Sequence, residues 1–180
     1  MEKKDLLLHI CCASCGVYVI TRLKDYFNLK LYYTNSCIYP KDEFDKRLID
    51  VKKIAAKYDL KLYVDEYDYN SWLDEIKGYE NDLEGGNRCS FCISYRLKRT
   101  IKKAKELNIN EFGSTLSISP HKNSEIINKI GKVLAIQNKI DFLVSDFKKN
   151  DGFNKSVKLS KDFGLYRQNY CGCKFSKKEK

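Results

Sequence analysis

The chain has 180 residues, a net charge of +10, 43% hydrophobic and 13% aromatic residues, and only nine glycines and two prolines. These values fit one folded domain and exclude a low-complexity or collagen-like chain. Its apolar runs are far shorter than the roughly 20 residues that span a bilayer. Cys11 and Cys12 stand where a signal peptide would be cleaved, so we expect a cytoplasmic protein without membrane association.

Hydrophobic periodicity predicts alternating strands and helices in the first part of the chain. The apolar run from Leu6 to Ile10 is typical of a fully buried strand, and Pro40 is well placed to open a helix. The predicted elements are a strand over 6–10, a helix over 16–26, a strand over 29–34, a helix over 41–58 and a strand over 60–65.

The second part continues the same alternation. Ser71, with Glu75 nearby, is predicted to cap a short acidic helix, and Gly85-Gly86 then breaks the pattern before a long basic helix. The remaining predicted elements are that basic helix up to about 107, strands over 111–116 and 141–144, and helices over about 124–138 and 155–163.

This alternation predicts an α/β fold: a Rossmann-like parallel sheet with helices on both faces, joined by right-handed crossovers. We expect one domain over 1–180, with a peripheral helical insertion over about 66–108 and a basic C-terminal tail over about 164–180 that contains a CxC motif. Ligands of such sheets bind at the carboxyl ends of the strands, where the strand order reverses. The segments 9–15 and 34–37 both follow strands and are predicted to meet there.

Eight cysteines against two histidines are the main compositional anomaly. In an intracellular α/β chain, clustered cysteines indicate metal binding or redox chemistry rather than a disulfide scaffold. Cys37 stands alone and is interpreted as a semi-buried thiol near the site. The other seven form three groups: Cys11-Cys12-x-x-Cys15, Cys89-x-x-Cys92 and Cys171-x-Cys173.

Each group leaves more than one chemistry open. A CxxC at a helix start is typical of structural zinc, a redox dithiol or part of an iron–sulfur site. Cys11 and Cys12 lie at the predicted ligand edge and, with the Cys89-x-x-Cys92 pair, supply the four thiolates that a 4Fe-4S cluster needs. Cys15 is either a small core residue or a third ligand. The CxC pair can close a strained disulfide or chelate a metal.

Charge is concentrated towards the C-terminal end of the chain. Ten lysines and arginines against three acids lie within 147–180, and Tyr166, Arg167 and Tyr170 are interleaved with them. Aromatic faces stack on bases while cations contact phosphates, so this mixture favours an RNA loop as the partner.

Several segments together resemble one known family. They are LLLHICCASC, YYTNSCIYPKDEFDKR, RCSFCISYRL, STLSISPHKN and FKKNDGFNKSVKLSKDFGLYRQNYCGC. The combination is similar to the cobalamin-independent epoxyqueuosine reductases of the QueH type, from about Leu6 to Cys173. The chain departs from that pattern at Ser14, where a proline is usual, and at Cys37, where we expect asparagine.

The resemblance implies a sheet related to the nucleotide α-hydrolase folds and an iron–sulfur oxidoreductase. That enzyme would reduce epoxyqueuosine to queuosine in the anticodon loop of GUN-decoding tRNAs, with electrons from a donor such as a ferredoxin or flavodoxin. The implied 4Fe-4S ligands are Cys11, Cys12, Cys89 and Cys92. Cys171 and Cys173 match redox-active or second-metal cysteines, and Cys15 stands where some members place an aspartate beside an additional mononuclear iron.

An epoxide reduction also needs protons and an RNA surface. The candidate proton donors are Tyr33, His121 and Lys122. The groups that we expect to contact phosphates or the anticodon loop are Arg96, Arg99, Tyr166, Arg167 and the tail lysines.

Two other functions remain in competition on the residues alone. A zinc-stabilised RNA-binding module would use the same four cysteines structurally, which explains the charge but not the CxC motif. A thiol–disulfide oxidoreductase would use Cys171 and Cys173 as its active pair and would need neither iron nor tRNA.

Overall fold

The computed structural model describes residues 3–176 of the chain, so the last four residues of the predicted basic tail lie outside it. The strands are β1 (Lys4–His9), β2 (Phe27–Tyr33), β3 (Lys61–Val64), β4 (Glu111–Ser114) and β5 (Asp141–Phe142). The α-helices are α1 (Ala13–Leu23), α2 (Lys41–Lys57), α3 (Tyr69–Glu75), α4 (Asn87–Glu106), α5 (Ser124–Asn138) and α6 (Gly152–Asp162). Short 3-10 helices cover Thr115–Ile118 and Lys174–Ser176.

The five strands form one sheet in the order β3-β2-β1-β4-β5, with every neighbouring pair parallel. The predicted α/β fold with a parallel sheet is therefore confirmed. The chain moves outward from β1 to β3 and then returns to the other side of β1 with β4. The strand order thus reverses between β1 and β4, and the segments that follow β1 and β2 lie at this switch point.

Both faces of β1 are covered, as the continuous apolar run predicts. Leu6 and Leu8 pack into one buried cluster with residues of α1 and α2, while Leu7 packs into a second cluster with residues of α4 and α5. α4 is therefore the β3-to-β4 crossover that covers one face of the sheet. α4 lies in the segment over about 66–108 that was predicted as a peripheral insertion. In the structure this helix contributes to a buried core cluster.

Local side-chain contacts shift two predicted boundaries. Asp68, rather than Ser71, caps α3, because its carboxylate accepts the Ser71 N–H at 3.0 Å. β4 ends at Ser114, whose hydroxyl accepts the Leu116 N–H and starts a 3-10 turn. Within residues 3–176, no helix is long and apolar enough to cross a membrane.

His9 links three strands at the switch point. Its Nδ1 lies 2.9 Å from the Ser114 hydroxyl after β4, and its Nε2 lies 3.3 Å from the Asn35 side-chain oxygen after β2. Burial, reinforced by the positive charge of Arg96, lowers the pKa of His9 from 6.5 to about 3. His9 is thus a neutral core histidine that ties the turns around the site.

This burial predicts an acid-sensitive fold. Between pH 6.5 and 3 the unfolded chain binds a proton at His9 that the folded chain does not, so acid favours unfolding. From pH 7 to pH 5 this group alone should lower the free energy of unfolding by about 2 kcal/mol. Urea unfolding of the wild type at pH 7 and pH 5 should show this loss in the free energy of unfolding. The His9→Gln variant should lack this contribution. Equal pH slopes in the two proteins would contradict the prediction.

Candidate metal centre

Four separate segments bring their cysteines to the carboxyl end of the sheet. The first follows β1 and opens α1, the second follows β2, the third lies in the first turns of α4, and the fourth is the tail after α6. All the cysteines are free thiols; they are Cys11, Cys12, Cys15, Cys37, Cys89, Cys92, Cys171 and Cys173.

The first group is the trio Cys11, Cys12 and Cys15, whose Sγ atoms all lie within 4.8 Å of one another. Cys12 is the N-cap of α1 and has an extended backbone, so Cys15 returns to it after one helical turn. Cys15 therefore lies with the double cysteine at the edge of the core cluster against which it packs. Three sulfurs at this spacing can bind one metal centre together.

The other two members of the trio favour the thiolate form of Cys12. Hydrogen bonds from the Cys11 and Cys15 thiols hold the pKa of Cys12 well below its usual value of 9.0. The Gln168 amide also donates to the Cys12 Sγ at 3.1 Å. The same hydrogen bonds raise the pKa of Cys11 to about 11 and also raise that of Cys15.

Cys37 and Cys92 form a second sulfur pair. A hydrogen bond from the Cys37 thiol, assisted by the Arg96 charge, lowers the pKa of Cys92 to about 5. Burial and the same contact raise the pKa of Cys37, which is fully buried. The sequence predicted Cys37 as a semi-buried thiol near the site; the structure buries it fully and pairs it with Cys92.

A cleft joins the CxxC of α4 to the tail. Its lining includes both cysteines of that motif, both cysteines of the tail, and Lys122. Cys89 accepts the Gly85 N–H at 3.2 Å. In the tail, the Cys173 thiol lowers the pKa of Cys171 well below 9.0, and the Lys122 ammonium adds to this effect.

A buried arginine and a half-buried lysine, Arg96 and Lys122, lie among the sulfurs. Arg96 is only 4% exposed and donates from Nη2 to the Cys92 Sγ at 3.3 Å. Burial disfavours both cations, yet negative sulfur charge raises their pKa values: Cys37, Cys92 and Cys11 act on Arg96, while Cys171 and Cys92 act on Lys122. Arg96 therefore faces the sulfur trio as well as the second pair.

Two of the predicted substrate residues are buried. Arg96 is 4% exposed, so its side chain is not presented to an RNA phosphate at the surface. Tyr33 has no exposed surface, its hydroxyl donates to the Phe44 carbonyl at 3.0 Å, and burial raises its pKa, so it is a poor proton donor. Arg99 is also engaged, in an ion pair with Asp65.

The other predicted substrate residues lie at or near the surface. His121 and Arg167 are exposed, and Arg167 lies over the Phe153 ring at 5.9 Å from its centroid. The Tyr166 hydroxyl donates to Glu43, and the Lys46 ammonium lies 3.7 Å from the centroid of its ring. Lys122 is half-buried and lines the cleft, whereas its neighbour His121 does not.

The residues present fit a metal–sulfur group. Three buried N–H groups of the described residues around the cysteines have no protein partner, namely those of Arg88 Nε, Arg96 Nε and Trp72 Nε1. Unpaired buried N–H groups beside low-pKa thiols suit sulfur atoms that would accept their hydrogen bonds. Thiolate donors select soft centres such as iron–sulfur groups or zinc.

A family comparison decides between the interpretations of this site. The model of the epoxyqueuosine reductase QueH matches residues 6–179. The chain belongs to the QueH family. The resemblance stated from its motifs is therefore confirmed, and family membership favours neither the zinc-stabilised module nor the thiol–disulfide oxidoreductase.

Curated relatives cover nearly the whole chain. The epoxyqueuosine reductase QueH of Streptococcus pyogenes is 38% identical over 182 residues, which are 98% of this chain and 71% of the relative. The QueH protein of Thermotoga maritima is 36% identical over 174 residues, which are 95% of this chain and 89% of the relative.

A solved structure supports the fold. The U34-tRNA thiolase NcsA from Methanococcus maripaludis, described with its [4Fe-4S] cluster, matches with a TM-score of 0.55 at 13% identity. The match covers 93% of this chain and 59% of the thiolase.

Proposed function

We propose that the chain reduces epoxyqueuosine to queuosine in tRNA, the last step in the formation of this modified nucleoside. The observation that supports this most directly is a thiol-lined cleft at the sheet's switch point in a member of the QueH family. The overall reaction takes two electrons and two protons, breaks both carbon–oxygen bonds of the epoxide, forms an alkene and releases water.

We propose Cys11, Cys12, Cys89 and Cys92 as the ligands of a 4Fe-4S cluster. A second, mononuclear iron would be held by Cys15, Cys171 and Cys173. When bound, these groups would supply electrons and a Lewis acid for the epoxide oxygen. The low pKa of Cys12 and Cys92 supports this, because metal ligands bind as thiolates.

The CxC pair has a second candidate role as a redox-active dithiol. Oxidation of Cys171 and Cys173 to a disulfide releases two electrons and two protons, which equals the demand of the reaction. The Cys173 N–H donates to the Cys171 Sγ at 3.4 Å, so the two sulfurs share one tight turn. The two roles differ in the iron content that they require.

Lys122 is the proton donor that the geometry favours. Its ammonium faces the Cys171 and Cys92 sulfurs from the wall of the cleft, where its side chain is half-buried. It can hold a proton at Nζ close to the reacting groups, whereas the exposed His121 lies outside the cleft. The oxygen of the opened epoxide would receive that proton.

The partners follow from this reaction. The substrate would be a tRNA with a GUN anticodon, which implies a cytoplasmic reaction, and a ferredoxin or flavodoxin would supply low-potential electrons. Arg167 and the tail lysines are the groups that we propose for phosphate contact.

The function is tested with protein purified without oxygen. It should convert epoxyqueuosine to queuosine in a tRNA substrate when a chemical reductant is supplied, as measured by mass spectrometry of the digested nucleosides. Iron, zinc and acid-labile sulfide are measured on the same sample. One zinc ion, no sulfide and no conversion would support the RNA-binding module instead.

Salt dependence tests the RNA surface. Affinity for the substrate tRNA should fall steeply as salt rises, because each phosphate contact releases counterions. Arg167→Gln should lower the slope of log affinity against log salt by about one, since one phosphate contact is lost. Lys158→Gln, on the exposed side of α6, is the matched control. An unchanged slope in Arg167→Gln would remove Arg167 from the interface.

A further inference from the structure

The loop that contains Cys171 and Cys173 is held by a buried arginine of α2. Arg47 is 3% exposed, and its Nη1 donates to the Cys171 carbonyl at 3.1 Å. Its Nη2 donates to the Tyr170 carbonyl at 3.3 Å, and its Nε pairs with Glu43 at 2.7 Å. All three nitrogens of the guanidinium are therefore engaged, two of them by the backbone of the loop.

A second anchor lies one helical turn further along α2. The buried Asp50 carboxylate accepts the Tyr166 N–H at 2.6 Å, and Lys53 pairs with its other oxygen at 2.6 Å. Residues three apart share one face of a helix. Arg47 and Asp50 therefore hold the tail at two points along the same face of α2.

The loop is also closely packed at its glycine. Gly172 has φ +106°, in the region that favours glycine, and its carbonyl accepts the Tyr39 N–H at 2.8 Å. A Cβ at this position would lie 2.9 Å from Ile38 Cγ1 and 3.0 Å from Arg47 Nη1. The loop is thus seated between α2 and the turn after β2.

These contacts fix the backbone of the loop without using its sulfurs. A buried guanidinium is costly unless its donors are satisfied, and here two of them are satisfied only while the tail is docked. The Cys171 side chain remains free to face Lys122 in the cleft. The arrangement therefore couples the Arg47 side chain to the placement of the Cys171 sulfur.

We propose that Arg47 is a positioning residue that holds the Cys171–Cys173 loop in the cleft, with Asp50 as the second anchor. This inference rests on the proposed function in one respect: it assumes that the CxC loop takes part in the reduction. The docking of the loop can be measured without that reaction.

The direct test is the alkylation rate of each cysteine in protein purified without oxygen, measured by peptide mass spectrometry after N-ethylmaleimide treatment. In Arg47→Gln the rate at Cys171 should rise at least about tenfold, because two hydrogen bonds from a charged donor are lost. The rate at Cys11 should stay unchanged. Lys52→Gln, an exposed residue of the same helix, is the matched control and should behave as wild type.

Kinetics separate positioning from a general loss of structure. In Arg47→Gln the kcat should fall while the KM for tRNA changes less than about twofold, because Arg47 is buried beneath the tail and does not face RNA. Gly172→Ala displaces the same loop from its other side and should reproduce both effects. The double variant should lose no more than the stronger single variant, since both changes disrupt one arrangement.

Two results would overturn the inference. One is an unchanged Cys171 alkylation rate in both Arg47→Gln and Gly172→Ala. The other is an equal rise at Cys11 and Cys171, which would indicate general unfolding. Arg47→Lys keeps the positive charge beside Glu43 and should raise the Cys171 alkylation rate less than Arg47→Gln does. It replaces Arg47→Gln in the test if that variant does not fold. If the wild type failed to reduce epoxyqueuosine, the proposed function would fall while the alkylation result would still test the docking.

Discussion

Cys12→Ser should abolish both the visible absorbance of the purified protein and its turnover. Two neighbouring thiols and Gln168 lower the pKa of Cys12 and favour its thiolate form, so its loss removes the best ligand of the trio. The activity should fall at least about 1,000-fold, which corresponds to about 4 kcal/mol of transition-state stabilisation. The measurement is iron and sulfide per chain together with single-turnover conversion of tRNA.

Ser14→Ala is the control for this variant. The Ser14 hydroxyl lies 3.4 Å from the Cys12 Sγ, so its removal weakens one hydrogen bond and leaves every sulfur in place. This variant should retain its iron and most of its activity. Wild-type iron content in Cys12→Ser would exclude Cys12 from the ligand set.

Cys171→Ser should retain the visible absorbance and yet lose at least about 100-fold in activity, or about 3 kcal/mol. The reason is that Cys171 lies on the tail loop, apart from the sulfur trio, and faces Lys122 in the cleft. Iron content and single-turnover conversion are measured on the same sample. Full activity in this variant would remove the tail from the mechanism.

The same variant distinguishes the two roles of the CxC pair. If the tail binds a second iron, the wild type should contain about one iron more per chain than Cys171→Ser. If the pair is a redox dithiol, iron content should be equal, and wild-type protein should lose two free thiols after turnover without reductant. Ser176→Ala removes only the hydroxyl that lies 3.0 Å from the Cys171 Sγ and is the matched control.

Local sequence patterns were sufficient for most of the fold. β1 was predicted from its apolar run, and α2 from apolar residues spaced three and four positions apart. Both patterns are local, and both elements lie where they were predicted. The cap of α3 was misplaced because Asp68 and Ser71 are both good caps, and the local sequence does not rank them.

The site was only partly predictable, because its contacts join distant segments. The position of Cys37 after β2 indicated the site, since β1 and β2 end at the same edge, but its contact with Cys92 of α4 was not predicted. Arg96 follows Cys92 by four residues, so helix geometry alone places the two side chains on one face of α4. By contrast, the contact between Arg47 and the Cys171 carbonyl joins residues 124 positions apart, and no local pattern predicts it.

The four-segment origin of the cysteine site has a consequence for how the protein is made. The sulfur trio leaves the ribosome first, and the CxC loop follows 160 residues later, roughly 8 to 30 s at ordinary rates of synthesis. During that interval Cys12 has neither Gln168 nor the docked tail beside it. The nascent chain therefore presents an incomplete set of thiols until the tail has been translated and can dock.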